Sequence, residues 1–313
     1  MAANERYRQQ VALLVRALPA VAGEDCFALK GGTAINLFVR DMPRLSVDID
    51  LTFLPVAPRD ESLVAIEQAL LRIRDRLKVA INGVQITESR PGATGPLTRL
   101  VVQLGRVQIK IEVTPVLRGC VYAPAVHAVS PSVEDQFGFA EISVVSFADL
   151  YAGKIMAALD RQHPRDLFDV QDLLANEGID DDLRRAFIVY LISHGRPMAE
   201  VLGSAQKDIA VEFTENFEGM TTEPVALEAL LAARAALIAA IVGGMPQAHK
   251  DFLLGFKRGA PDWDLLGVPG AAELPAVAWK QANLDKLNRD VRARLVAQLT
   301  AVLAPDGRKN DAP

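Results

Sequence analysis

Two aspartates, Asp48 and Asp50, stand two residues apart in the run Arg44-Leu45-Ser46-Val47-Asp48-Ile49-Asp50-Leu51. Side chains on an extended strand alternate faces, so Ser46, Asp48 and Asp50 share one face while Val47, Ile49 and Leu51 share the other. Carboxylates held side by side repel unless a cation lies between them. Mg²⁺ (or Mn²⁺) suits the pair, because it takes one or two carboxylates and completes its shell with phosphate and water oxygens. The chemistry this predicts is transfer from a nucleoside triphosphate, with the ions clamping the phosphates and activating an attacking hydroxyl. A third carboxylate from a neighbouring strand is expected. Glu112 is the candidate, on the polar face of the alternating stretch 107–113.

Gly31-Gly32-Thr33 precedes this strand at the start of an expected helix. Backbone N–H groups and the positive end of a helix dipole bind phosphate, and the Thr33 hydroxyl adds a further donor. Either signal has a plainer explanation: a solvated strand edge for the aspartates, a strand-to-helix turn for the glycines. Their combination is more specific than either alone.

A second group of charges runs from Asp149 to Asp172. Lys154 and Arg161 are seven residues apart and share a helix face. Pro164 suits the first position of a new helix. Arg165, Asp169 and Asp172 then fall at i, i+4 and i+7 on one side of it. Lysine as a point charge and arginine as a planar fork both suit a triphosphate. A salt-bridged helix pair, Arg165 with Asp169 and Arg161 with Asp166, explains the same residues without a ligand. The histidines, His127, His163, His194 and His249, are not at metal-ligand spacing. No Ser-His-Asp or Cys-His arrangement is present.

The elements that must position these residues follow from periodicity. Helices are expected at 7–18, from the glycine pair to about residue 40, and at 61–78. Strands are expected at 46–53, around Ile86, at 97–105, at 107–113 and at 143–145, with a tight hairpin at Gly105-Arg106. From Phe147 onward the pattern is helical, and the last residues, 305–313, read as frayed. The expected fold class is therefore α+β: a mixed sheet with flanking helices over 1–148, then a mainly helical domain over 149–313 that completes the active-site cleft.

The chain has 313 residues, half of them apolar, and a net charge of -5. It has no basic excess to attract polyanions, so any nucleic acid must be held by a local patch. Arg184, Arg185 and Arg196, or Lys280, Lys286, Arg289, Arg292 and Arg294, are candidates for one. The two cysteines, Cys26 and Cys120, make no disulfide framework and fit a reducing compartment. The apolar stretch 226–245 is interrupted by Glu228 and Arg234 and reads as a buried helix. No membrane association and a cytoplasmic location are expected.

Taken together, Gly31-Gly32-Thr33-Ala34 with Arg44-x-Ser46-x-Asp48-x-Asp50-Leu51 resembles the first motif of the AbiEii family of nucleotidyltransferase toxins. These are MenT-like members of the DNA polymerase β-type superfamily. Asp149-Leu150, Lys154, Arg161 and Arg165-Asp166-Leu167-Phe168-Asp169 resemble the family's later motif, and residues 274–284 add support. The resemblance spans about Phe27 to Leu284. Where the wider superfamily has Gly-Ser, this chain has Gly32-Thr33.

The resemblance implies a Mg²⁺-dependent enzyme of a type IV-like toxin–antitoxin or abortive-infection system. Such an enzyme moves a nucleoside monophosphate from an NTP to an RNA acceptor, the tRNA 3′ end, and releases pyrophosphate. The resemblance assigns Asp48 and Asp50 as metal ligands, with Ser46 beside them. It assigns Thr33 and Lys154 to the triphosphate and places Asp169 in the cleft. Beside these, Gly31, Gly32, Ser46, Arg161 and Arg165 are expected to bind the nucleotide, and Asp169 to orient Lys154 or deprotonate the acceptor. An AbiEi-like antitoxin acting at the gene or product level is the implied partner. Transfer to a small-molecule or protein hydroxyl is the alternative within the class, and a non-catalytic nucleotide-binding regulator the alternative outside it.

Overall fold

The computed structural model describes residues 2–92 and 95–304. The expected fraying at 305–313 lies outside them. The described residues form two compact units, one of those up to 146 together with 219–223, the other of 147–218 together with 224–304.

The first unit runs α1 (Ala2–Ala22), β1 (Phe27–Lys30), α2 (Gly31–Ala34), β2 (Asp48–Phe53), α3 (Arg59–Ala80), β3 (Gln85–Ser89), β4 (Arg99–Leu104), β5 (Val107–Arg118), β6 (Ala125–Ala128), α4 (Pro131–Phe137) and β7 (Glu141–Val144). Its strands form one mixed sheet in the order β3-β4-β5-β2-β1-β7-β6. The β4–β5 hairpin turns at Gly105-Arg106, with Leu104 opposite Val107 and Gly105 at φ +60°.

Alternation sorts the sheet into two faces. Leu29, Ile49, Leu51, Ile111 and Val113 are fully buried on one, which α1 and α3 cover. Burying such side chains contributes about 1.5–3 kcal/mol each. The other face carries charge: Asp50 is in register with Lys30 of β1 and Glu112 of β5, and Asp48 with Lys110. The strand begins at Asp48, so Ser46 stands just before it.

Strands β1 and β6 and helix α4 were not among the expected elements, and two further features depart from them. The helix after the glycines continues from α2 as a π-turn over Ile35–Val39. There Asn36 turns its side-chain amide back onto the Gly32 carbonyl at 2.7 Å, and such local bonds compete with the regular ladder. Residues 219–223, from the helical half of the sequence, belong to the first unit. Leu45 N–H donates to the Met220 carbonyl (2.9 Å) and Thr222 N–H to that of Pro43 (3.0 Å), beside the segment that leads into β2.

The second unit opens with α5 (Phe147–Asp160), α6 (Pro164–Asn176) and α7 (Asp181–Ser193). Further helices follow at Met198–Leu202, Ala210–Asn216, Leu227–Ile238, Gln247–Arg258, Pro275–Asp285 and Arg289–Leu303. Leu230 and Leu237 on the expected apolar helix are fully buried. No single helix among the described residues is long and apolar enough to cross a membrane.

Candidate active site

The glycine pair is fitted to the carboxylate strand by close approach. Gly31 has φ +75°, and a Cβ there would lie 2.6 Å from Asp50 Oδ2. A Cβ on Gly32 would lie 2.8 Å from both Arg44 Nη2 and Ser46 Oγ. At Gly31 the positive φ and the Asp50 carboxylate both oppose a side chain; at Gly32 the tips of Arg44 and Ser46 would have to shift. Gly31→Ala is expected to cost about 1–3 kcal/mol in backbone strain and to displace the Asp50 carboxylate. Gly105→Ala, also at positive φ but with nothing within 4 Å of its Cβ, carries the strain alone. Thermal unfolding and turnover of the two variants separate these effects: only Gly31→Ala should lose activity.

Thr33 is fully buried, and its hydroxyl donates to the Asp48 carbonyl at 2.6 Å. That uses its single proton. Ser46 Oγ, 3.2 Å away, must then donate to Thr33. In this structure Thr33 ties the start of the helix to the start of β2, and its hydroxyl points into the protein. The Ser46 N–H donates to Tyr7 Oη at 2.8 Å. Burial pushes the Tyr7 phenol up to about 12, against opposing effects from the Ser46 backbone and Arg44, so it stays protonated.

Asp48 and Asp50 project from the polar face as expected, and both are half-buried. Glu112 also lies on that face, in register with Asp50. Its two oxygens, however, accept from Arg99 Nε and Nη2 at 3.0 and 2.9 Å. It is an ion-pair partner here, not a third member of the aspartate pair. Among the described residues no three His, Cys, Asp or Glu side chains converge as a metal site. The donor chemistry still fits a hard divalent ion held by two carboxylates and completed by phosphate and water oxygens; it does not form a three-carboxylate cage.

Lys30 has no role in the sequence-based assignment, yet it sits opposite Asp50. Burial pushes its ammonium pKa down, while Asp50, Cys120 and Glu112 oppose that shift. Its place was hidden because it depends on the pairing of β1 with β2.

In the second unit, Lys154 of α5 reaches two carboxylates of α6: Asp166 Oδ1 and Asp169 Oδ2, each at 2.9 Å. All three side chains are nearly inaccessible. Arg161, largely exposed, also donates to Asp166, its Nη2 at 3.0 Å from Oδ1. Burial would raise the Asp166 pKa, but Lys154 and Arg161 outweigh it and hold the carboxyl well below the usual carboxylate range. Asp166 is thus the residue that sequence reasoning passed over as a site member. Its signals were the Arg-Asp-x-x-Asp spacing and the expected ion pair with Arg161, which the structure contains. Arg165 lies in the first turn of α6, where its N–H donates to the capping His163 Nδ1 at 3.1 Å. The tight α5–α6 connection is held by Gln162, at φ +56°, whose amide donates to the Ala205 carbonyl (2.8 Å) and accepts from Lys207 N–H (3.0 Å).

Several of the basic residues considered for a nucleic-acid surface have structural roles. Arg184 donates to the Ala240 carbonyl at 3.0 Å, Lys280 to that of His194 at 2.5 Å, and Arg292 to those of Arg258 and Leu284 at 2.8 and 2.6 Å.

With this geometry in hand, comparisons with known proteins are informative. The family described as "Nucleotidyl transferase AbiEii toxin, Type IV TA system" matches residues 12–283. Among solved structures the chain is similar to MenT4, a nucleotidyltransferase toxin from Mycobacterium tuberculosis H37Rv. The TM-score is 0.58 and the identity 17%, covering 93% of this chain and 90% of that one. At that identity the likeness speaks to the fold. No curated protein sequence matches the chain.

Proposed function

The chain belongs to the AbiEii family of nucleotidyltransferase toxins of type IV toxin–antitoxin systems, and from that premise we propose that it transfers a nucleoside monophosphate from an NTP to an RNA 3′-hydroxyl, the tRNA 3′ end, with Mg²⁺ (or Mn²⁺) held by Asp48 and Asp50. The observation that carries this reading is the close approach of the Gly31-Gly32 turn to Asp50 and Ser46. A phosphate-binding backbone and a metal-binding carboxylate pair are thereby built as one piece.

In this reading the acceptor hydroxyl attacks the α-phosphorus in line and pyrophosphate leaves. An ion bound there would neutralise charge on the phosphates and acidify the attacking hydroxyl, whose proton passes to solvent. Asp48 and Asp50 would hold the ion, and Thr33 and Tyr7 fix the backbone at Asp48 and Ser46. The N–H groups of Gly31 and Gly32 serve the phosphates. On the family resemblance, Lys154, Arg161 and Arg165 would supply cations for the phosphates. Asp169, bonded to the Lys154 ammonium, orients that lysine; a carboxylate so engaged is a poor base.

The test is incubation of the protein with each labelled NTP and total RNA. Label on tRNA-sized RNA, matched by released pyrophosphate, is the expected result. Label on protein or on a small molecule, never on RNA, would overturn the acceptor. The net charge of -5 and the commitment of Arg184, Lys280 and Arg292 to backbone carbonyls favour a smaller acceptor as the second reading.

A further inference from the structure

The polar face of the sheet is balanced in charge by its own neighbours. Lys30 stands opposite Asp50, Lys110 opposite Asp48, and Arg99 is bonded to Glu112. Directly opposed residues in a sheet have Cβ atoms about 4.5–5.5 Å apart, close enough for opposite charges to interact strongly where solvent is partly excluded. Lys30, Asp50, Glu112 and Arg99 thus form one row across β1, β2, β5 and β4, with cations at its two ends and carboxylates between them.

This arrangement changes what a divalent ion encounters. A bare pair of aspartates would attract Mg²⁺ by itself. Here the incoming ion meets a face whose carboxylates already have cationic neighbours, with Lys30 in register with Asp50 and interacting with it electrostatically. The triphosphate brings the negative charge that the face lacks, and its oxygens complete the shell the two aspartates leave open. We propose that Lys30 is the resident counter-ion of Asp50 and makes divalent-ion binding conditional on the nucleotide, so that the ion enters with the triphosphate and not before it. Lys30 is in these terms a positioning residue: it acts through Asp50 and sets the affinity of the empty site. The inference rests on the reading of Asp48 and Asp50 as metal ligands.

The experiment is calorimetric titration of the protein with Mn²⁺, alone and with a non-hydrolysable NTP analogue. With Mn²⁺ binding to the analogue itself subtracted from a protein-free titration, the analogue should tighten Mn²⁺ binding to the wild type by at least about tenfold. Lys30→Met should bind Mn²⁺ alone about tenfold more tightly than wild type, and the gain from the analogue should shrink correspondingly. Lys30→Arg, which keeps the charge, should behave as wild type. Circular dichroism checks that each variant is folded. Wild-type protein that binds Mn²⁺ equally well with and without the analogue overturns the proposal, and this result needs no variant. So does a folded Lys30→Met whose affinity for Mn²⁺ alone is unchanged or weaker. Asp48→Asn separates the two levels of the argument. If Mn²⁺ binding in the presence of the analogue is insensitive to Asp48→Asn, the metal-ligand reading itself has failed. If binding depends on Asp48 but not on the charge at position 30, only the Lys30 inference has failed.

Discussion

Asp48→Asn is expected to lower turnover by at least about 10³-fold while leaving the protein folded. The amide keeps the shape of the carboxylate. The Asp48 backbone carbonyl, which accepts from Thr33 at 2.6 Å, is untouched. The side chain is half-buried and faces Lys110 across β2–β5, so loss of its charge removes little packing. On the proposed reading, what it would remove is one of two anionic ligands of the ion. Lewis-acid stabilisation by a bound ion contributes several kcal/mol, and about 4 kcal/mol corresponds to about 10³-fold in rate. Pyrophosphate release at saturating NTP measures the loss, and full activity in the variant would sink the assignment. Glu112→Gln is the informative companion. Because Arg99 engages both Glu112 oxygens, its loss should cost less than about tenfold. A defect as deep as that of Asp48→Asn would mean that Glu112 leaves Arg99 to join the ion during turnover.

The carboxylate strand was legible because its signal is local. Period-two alternation in Asp48-Ile49-Asp50-Leu51 names the buried face and the polar face without any knowledge of neighbours, and Gly105-Arg106 between two alternating runs names the hairpin. β1 was not legible. Its four residues, Phe27–Lys30, are too few to show a period, and the meaning of Lys30 comes only from its register with Asp50. The burial of Lys154 was hidden for a related reason: a lysine among Asp149, Arg161 and Asp166 reads equally well as a solvated helix face. Only the packing of α5 against α6 shows that the charge is enclosed. The addition of residues 219–223 to the first unit is a pairing across more than 170 residues, exemplified by Thr222 with Pro43. No local pattern encodes it. Thr33 is the converse case. Its residue type was read as a phosphate donor, and the structure shows the same hydroxyl at work on the backbone of Asp48.

The Lys154 cluster yields a prediction in which stability and activity separate. Removing one partner of a buried ion pair costs about 3–5 kcal/mol, because the remaining charge stays buried. Asp166→Ala takes away one of the two carboxylates on the Lys154 ammonium and the acceptor of Arg161. A loss of about 3 kcal/mol corresponds to a fall in melting temperature of about 6–12 °C for a unit of this size. The pH dependence follows from the same carboxyl. Its folded pKa is depressed below the unfolded value of about 3.9. Its contribution is therefore fully present above about pH 4 and is lost as pH falls toward the folded value. Acid unfolding should be shallower in Asp166→Ala than in wild type, because that variant no longer has this proton-linked contribution to lose. Lys154→Met should be equally destabilised, since it leaves Asp166 and Asp169 facing one another without their shared cation. It should also lose at least about 10²-fold in kcat/KM for the NTP if its charge serves the phosphates. Asp166→Ala retains the lysine and Asp169 as its partner, so its defect below its own melting temperature should be smaller than that of Lys154→Met. Equal kinetic losses in the two variants, at matched distance from their melting temperatures, would show that Lys154 acts only as a member of the buried cluster and would remove it from the phosphate-binding set.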